Sequence, residues 1–164
     1  MVAAYARPRR RTSTKRSSQI PREEHKNGPL LGALLRKVRR RLVARILNAL
    51  ASAGHGTIRD AHFAVFGHPP PRGVSPLELA ERSQMSKQAM NQLLRTLERA
   101  GYVVRKRDPE RPKRCQIWLT ARGERAVAIM RRVVRDIERD FQRQLGRKRY
   151  TIMHAALREL TAGE

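Results

Sequence analysis

Two helix starts in close succession, followed at once by a basic hairpin, constrain this chain more than any other feature. Ser75-Pro76-Leu77-Glu78 forms a capping box with proline at the first helical position. It predicts a short helix from Pro76 to about Ser83 that buries Leu79 and Ala80. After a turn, Ser86 can cap a second helix running to Ala100, with Met85 and Met90 spaced as a hydrophobic staple across its start. Gly101 is placed for a left-handed cap, and Tyr102 can pack back on Leu97. Helical spacing turns Ala89, Met90, Leu93, Leu94 and Leu97 inward. It leaves Ser86, Lys87, Gln88, Asn91, Gln92 and Arg95 outward. Two extended segments, roughly 102–107 and 114–119, flank a turn opened by Asp108-Pro109. Arg105, Arg107, Arg111, Lys113 and Arg114 make this hairpin basic.

Two short helices, a tight turn and a basic hairpin make a winged helix-turn-helix. The second helix is narrow enough for the major groove of duplex DNA. Gln88, Asn91 and Gln92 carry amides that can hydrogen-bond base edges, with adenine the natural bidentate match. Lys87 and Arg95 suit phosphate or guanine. Arg111 suits the minor groove, where basic side chains sense width and A·T content.

Charge points the same way. The chain of 164 residues has 37 Lys+Arg against 14 Asp+Glu, a formal net charge of +23. Such a surface calls for a polyanion, with nucleic acid first and an anionic membrane second. Aromatic residues are 4%, which counts against the stacking platforms of single-strand and many RNA binders. A hydrophobic content of 40% allows a real core. Residues 1–27 hold eight basic and two acidic residues with no hydrophobic period, and read as a disordered basic arm. Such an arm is either a solvated tail or a reach into the minor groove. The other residues keep +17 of the charge.

Long amphipathic helices flank the central motif. In 29–53, Leu31, Leu34, Leu35, Val38, Leu42, Ile46 and Leu50 recur at helical steps, opposite Arg36, Lys37, Arg39 and Arg40. Pro29 suits the first helical position and Gly54 the C-terminal cap. A shorter helix is expected over 57–66. Thr120 caps a long helix that Gly146 breaks, and a last helix over about 148–161 carries Ile152, Met153, Leu157 and Leu160. The apolar stripe of the first helix exceeds what so small a lobe can cover, so a homodimer is expected through 29–53 and 121–161. Leu31, Leu34, Leu35, Ile152, Met153, Leu157 and Leu160 are its candidate interface. The lobe itself spans about 57–120.

Other chemistry is sparse. His55, His62 and His68 with Asp60 match no metal-ligand spacing, and read as surface or pocket-lining side chains. Cys115 reads as a small residue in a strand, against a redox switch tuned by Lys113 and Arg114. A lone cysteine excludes an internal disulfide and fits a reducing, cytoplasmic setting. The sequence shows no catalytic set, cofactor motif, signal core or membrane span, so neither an enzyme nor a membrane protein is expected. The rival readings are an architectural protein that coats DNA with little sequence choice, and an RNA-binding protein.

The central stretch resembles the MarR family of bacterial and archaeal transcriptional regulators. The resemblance rests on Leu79-Ala80-Glu81-Arg82, on Met85-Ser86-Lys87, and on Leu97-Glu98-Arg99-Ala100-Gly101-Tyr102. It continues through Asp108-Pro109-Glu110 to Leu119-Thr120-Ala121-Arg122-Gly123, and the helical layout extends it over 28–162. The chain departs where the family's wing continues Asp-Arg-Arg, having Arg111-Pro112-Lys113, and where Gln84 holds a turn position often glycine. The resemblance implies a mostly α fold with a small β-hairpin wing, a homodimer interlocked through its outer helices, and a pseudo-palindromic operator. It also implies repression in many cases, and release from DNA by a small phenolic or lipophilic molecule.

Overall fold

The computed structural model describes residues 29–67, 73–107 and 115–162. The basic arm, His68 and the tip of the hairpin with Arg111, Lys113 and Arg114 lie outside the described residues. Helix α1 (Leu31–Ser52) leads into a 3-10 turn (Asp60–His62) and the short α2 (Phe63–Phe66). Helices α3 (Pro76–Arg82) and α4 (Lys87–Arg99) follow. Strands β1 (Val103–Arg107) and β2 (Cys115–Leu119) form an antiparallel pair in which Arg105 faces Ile117 and Arg107 faces Cys115. Helices α5 (Ala121–Leu145) and α6 (Arg147–Thr161) complete the order. Pro29 lies outside α1, whose cap residue is Leu30.

Side-chain caps set the starts of three of these helices. The Ser75 hydroxyl accepts from the Glu78 amide, the Ser86 hydroxyl from Ala89, and the Thr120 hydroxyl from Gly123. The Glu78 carboxylate pairs with Arg82. Helix ends follow one pattern. At α4, Gly101 N–H donates to Glu98 O at 2.9 Å and Tyr102 N–H to Leu97 O at 2.9 Å, with Gly101 at φ +74°. At α3 the same bonds run from Gln84 to Glu81 and from Met85 to Ala80, and Gln84 takes the left-handed backbone at φ +51°.

One core joins these elements. Leu79, Met90, Leu94, Leu97 and Tyr102 are fully buried between α3, α4 and the hairpin, and the core continues through Leu50, Ala126 and Ile137 where α1 packs on α5. Residue Gly123 seats the long helix. A Cβ there would lie 2.1 Å from the Tyr102 carbonyl oxygen, so only glycine lets α5 approach β1 this closely.

One expectation needs correction, and one feature was not expected. Residues 57–66 are not one helix, because Arg59 is extended at φ −126°, ψ 165°. The preceding residues are tied to the core: Ile58 is buried and the Thr57 hydroxyl lies 3.2 Å from the Tyr102 hydroxyl. The helix can start only after Arg59, whose N–H donates to His62 Nδ1 at 3.0 Å. The hairpin also has a third rung. Val74 pairs with Ile117 through two backbone bonds of 2.7 and 3.1 Å, which fastens the hairpin to the start of α3.

Candidate nucleic-acid interface

Helix α4 presents its outward face between two grooves. On the hairpin side, a cavity of about 420 Å³ is lined by Ser75, Pro76, Leu77, Lys87, Asn91 and Cys115. On the other, an open groove of about 440 Å³ is lined by Ala61, Met85, Ser86, Gln88, Ala89, Gln92 and Leu93. Ser86, Lys87, Gln88, Gln92 and Arg95 are exposed. Successive helical turns place Gln88, Gln92, Arg95 and Arg99 along the crest. Arg99 is a cation that the sequence reading did not assign to this face.

Two residues sit differently from their expected positions. Ala89 is exposed rather than inward, beside Gln88 and Gln92. A small apolar side chain there suits a thymine methyl group. Asn91 is half-buried and turned toward the hairpin. Its Nδ2 donates to Lys87 O at 2.9 Å, and its Oδ1 accepts from Arg105 Nη2 at 3.2 Å. Arg105 is itself half-buried, and its Nε donates to Glu98 Oε2 at 3.2 Å. Arg107 is exposed further along the same strand. Lys106 lies over the Trp118 ring, 5.2 Å from its centre.

A family model described as MarR family matches residues 63–111, which run from α2 through α4 and β1 into the hairpin turn. The whole fold agrees. A crystal structure of MarR is 26% identical, with a TM-score of 0.67 over 84% of this chain and 91% of that one. The stretch from α2 into the hairpin thus matches the MarR family, and the whole fold is that of its winged-helix regulators. A MarR family protein of Mycobacterium tuberculosis, in complex with p-aminosalicylic acid, is 29% identical, with a TM-score of 0.58 over 81% of this chain and 99% of that one. S. aureus MepR in complex with DNA shares the fold at 20% identity, with a TM-score of 0.67 over 84% of this chain and all of that one. No curated protein matches by sequence.

Two of the histidines expected at the surface or in a pocket lie in the core instead. His55 and His62 are both buried. His55 Nδ1 lies 3.2 Å from the Tyr102 hydroxyl, and Arg122 stacks over the Tyr102 ring at 4.7 Å. Burial, then the charges of Arg122 and Arg125, hold the His55 pKa below its ordinary value. Burial and then Arg59 do the same for His62. Asp60 is engaged by Arg39 through both carboxylate oxygens, at 2.7 and 2.8 Å. Among the described residues, no three His, Cys, Asp or Glu side chains come together as a metal site. Nor, among them, is any helix long and apolar enough to cross a membrane.

The expected dimer residues lie on α1 and α6, each of which packs on α5. Leu31, Leu34 and Leu35 on α1, and Ile152, Leu157 and Leu160 on α6, are exposed in the single chain, with Leu160 75% accessible. Met153 is half-buried. No residue of α6 is buried.

Proposed function

We propose that the chain works as a homodimer that reads a pseudo-palindromic DNA operator with α4 and represses transcription by occupying it. The observation that carries this is the crest of α4. Two amides, Gln88 and Gln92, and the arginines Arg95 and Arg99 stand clear of the core beside a basic hairpin. Gln88 and Gln92 are the base readers in this proposal. Ser86, Lys87 and Arg107 hold phosphate, as do Arg111, Lys113 and Arg114 at the wing tip. Residues about 57–120 form the DNA-binding lobe, and about 29–53 and 121–161 the dimerisation platform. Residues 1–27 form a basic arm. Such a regulator works where the chromosome lies, in the cytoplasm of a bacterial or archaeal cell.

Two further observations support the fuller picture. No residue of helix α6 is fully buried in the single chain, yet an isolated helix of 15 residues is marginal in water. Its apolar face and that of α1 fit a second copy of the same chain. Release by a small phenolic or lipophilic molecule is supported by the M. tuberculosis relative, which was crystallised with such a compound. An architectural role is the second reading, favoured by Arg36, Lys37, Arg40 and Arg41, all exposed along α1.

Selection of bound duplexes from a random pool tests the proposal. A regulator should recover a palindrome whose half-sites lie about one helical turn, ~10 bp, apart. An architectural protein recovers no common sequence, and an RNA binder loses the duplex to structured RNA. A single asymmetric half-site would contradict the dimeric reading.

A further inference from the structure

Spacing alone points Asn91 and Arg105 at DNA, whereas the fold points them at each other. One guanidinium on β1 grips α4 at two places about two helical turns apart. Its Nη2 donates to Asn91 Oδ1 and its Nε to Glu98 Oε2, both at 3.2 Å. All three residues are half-buried. The chain joins α4 to β1 at one place, the tight cap of Gly101 and Tyr102. The Val74 rung and the buried Val103 and Ile117 hold the hairpin to α3 and the core, but not to the outward flank of α4. The Arg105 fork supplies that attachment, tying the hairpin directly to the helix that carries the readers.

We propose that Asn91, Glu98 and Arg105 form a strut that sets the angle between recognition helix and wing, so that Asn91 and Arg105 position the readers rather than contact base or phosphate. This rests on the DNA-reading function proposed above. Asn91 has its carbonyl oxygen and one N–H engaged within the protein, which orients its amide toward the hairpin rather than outward with the exposed Gln88 and Gln92. Arg105 engages Nε and Nη2, one edge of its guanidinium, in the same way. The device depends on a planar fork, which lysine cannot reproduce although it keeps the charge.

That difference supplies the test. Operators recovered from the random pool, and a scrambled duplex, are titrated across salt with wild-type protein, Arg105→Lys, Asn91→Ala and the double variant. The strut predicts that Arg105→Lys weakens operator binding ~10-fold, the scale of a lost charged hydrogen bond. The scrambled duplex and the salt slope should stay at wild-type values. Asn91→Ala should do the same, and the double variant no worse than the weaker single, because one structure is lost once. Near wild-type binding by Arg105→Lys, or additive losses, would overturn the strut in favour of a plain charge contact. If Arg105→Lys fails to fold by circular dichroism, reselection with Asn91→Ala decides. A strut relaxes preference at several operator positions, whereas a base reader relaxes it at one per half-site. An empty selection with wild-type protein would overturn the DNA-reading function and the strut together. A recovered operator with an unaffected Arg105→Lys overturns the strut alone.

Discussion

At Gln84 an exposed side chain occupies a left-handed backbone, φ +51°, to let Met85 close the end of α3. That conformation costs a residue with a Cβ about 1–2 kcal/mol, part of which glycine loses again as chain entropy. Gln84→Gly should therefore stabilise the protein by ~0.5–1 kcal/mol and raise the melting temperature by about 1–4 °C at fixed protein concentration. A lower melting temperature would show that the Gln84 side chain contributes more than its backbone costs. His55 gives a second residue-scale expectation. Its folded pKa is held below its ordinary 6.5, so below about that pH the unfolded chain binds the proton more readily. Stability is then complete above pH 6.5 and falls as the pH drops toward the folded value, with His62 acting in the same sense. Melting curves from pH 7.5 to 5 should show this loss before carboxylates titrate, and His55→Gln should flatten it. An unchanged slope in that variant would remove His55 as a cause. The burial of these histidines was not legible in the sequence, because nothing in local spacing says that Tyr102 offers His55 a partner across 47 positions.

Among the elements, those that announce themselves through caps were legible, and those shaped by long-range tethers were not. Ser75, Ser86, Thr120 and Gly101 carry their own local hydrogen bonds, so α3, α4 and the start of α5 follow from the chain alone. Residues 57–59 have helical spacing, yet Ile58 and Thr57 are drawn into the core and hold the backbone extended. The Val74 rung was equally hidden, since one residue pairing with Ile117 has no periodicity to detect. The outward set on α4 was right in its exposed members. It failed at Ala89 and Asn91, because a helical wheel knows the radial direction but not what stands beside the helix. The junction of α5 with β1 yields an element-scale prediction. Gly123→Ala would drive a methyl group into the Tyr102 carbonyl, destabilising by ~2–3 kcal/mol in the manner of an overpacked core. Chemical denaturation should register it as a lower midpoint. A midpoint at the wild-type value would mean that α5 can shift away from the hairpin at little cost.

For the whole molecule, two surfaces of opposite character divide the work proposed here. The exposed leucines of α1 and α6 would leave water on dimer formation, each worth about 1.5–3 kcal/mol when fully covered. Leu34→Glu with Leu157→Glu should abolish the dimer in sedimentation runs, because each would bury an unpaired charge. A well-folded dimer of that variant would place the interface elsewhere. The basic lobe carries the other function, and its central claim is that α4 reads sequence rather than merely holding charge. The most direct measurement is the ratio of affinities for the selected operator and a scrambled duplex at physiological salt, for wild type, Gln88→Ala and Gln92→Ala. The wild-type ratio should reach at least ~10³. Each variant should lower it by the ~1–3 kcal/mol of a lost base contact while leaving the scrambled duplex unaffected. A wild-type ratio near one, or equal weakening on both duplexes, would contradict the account.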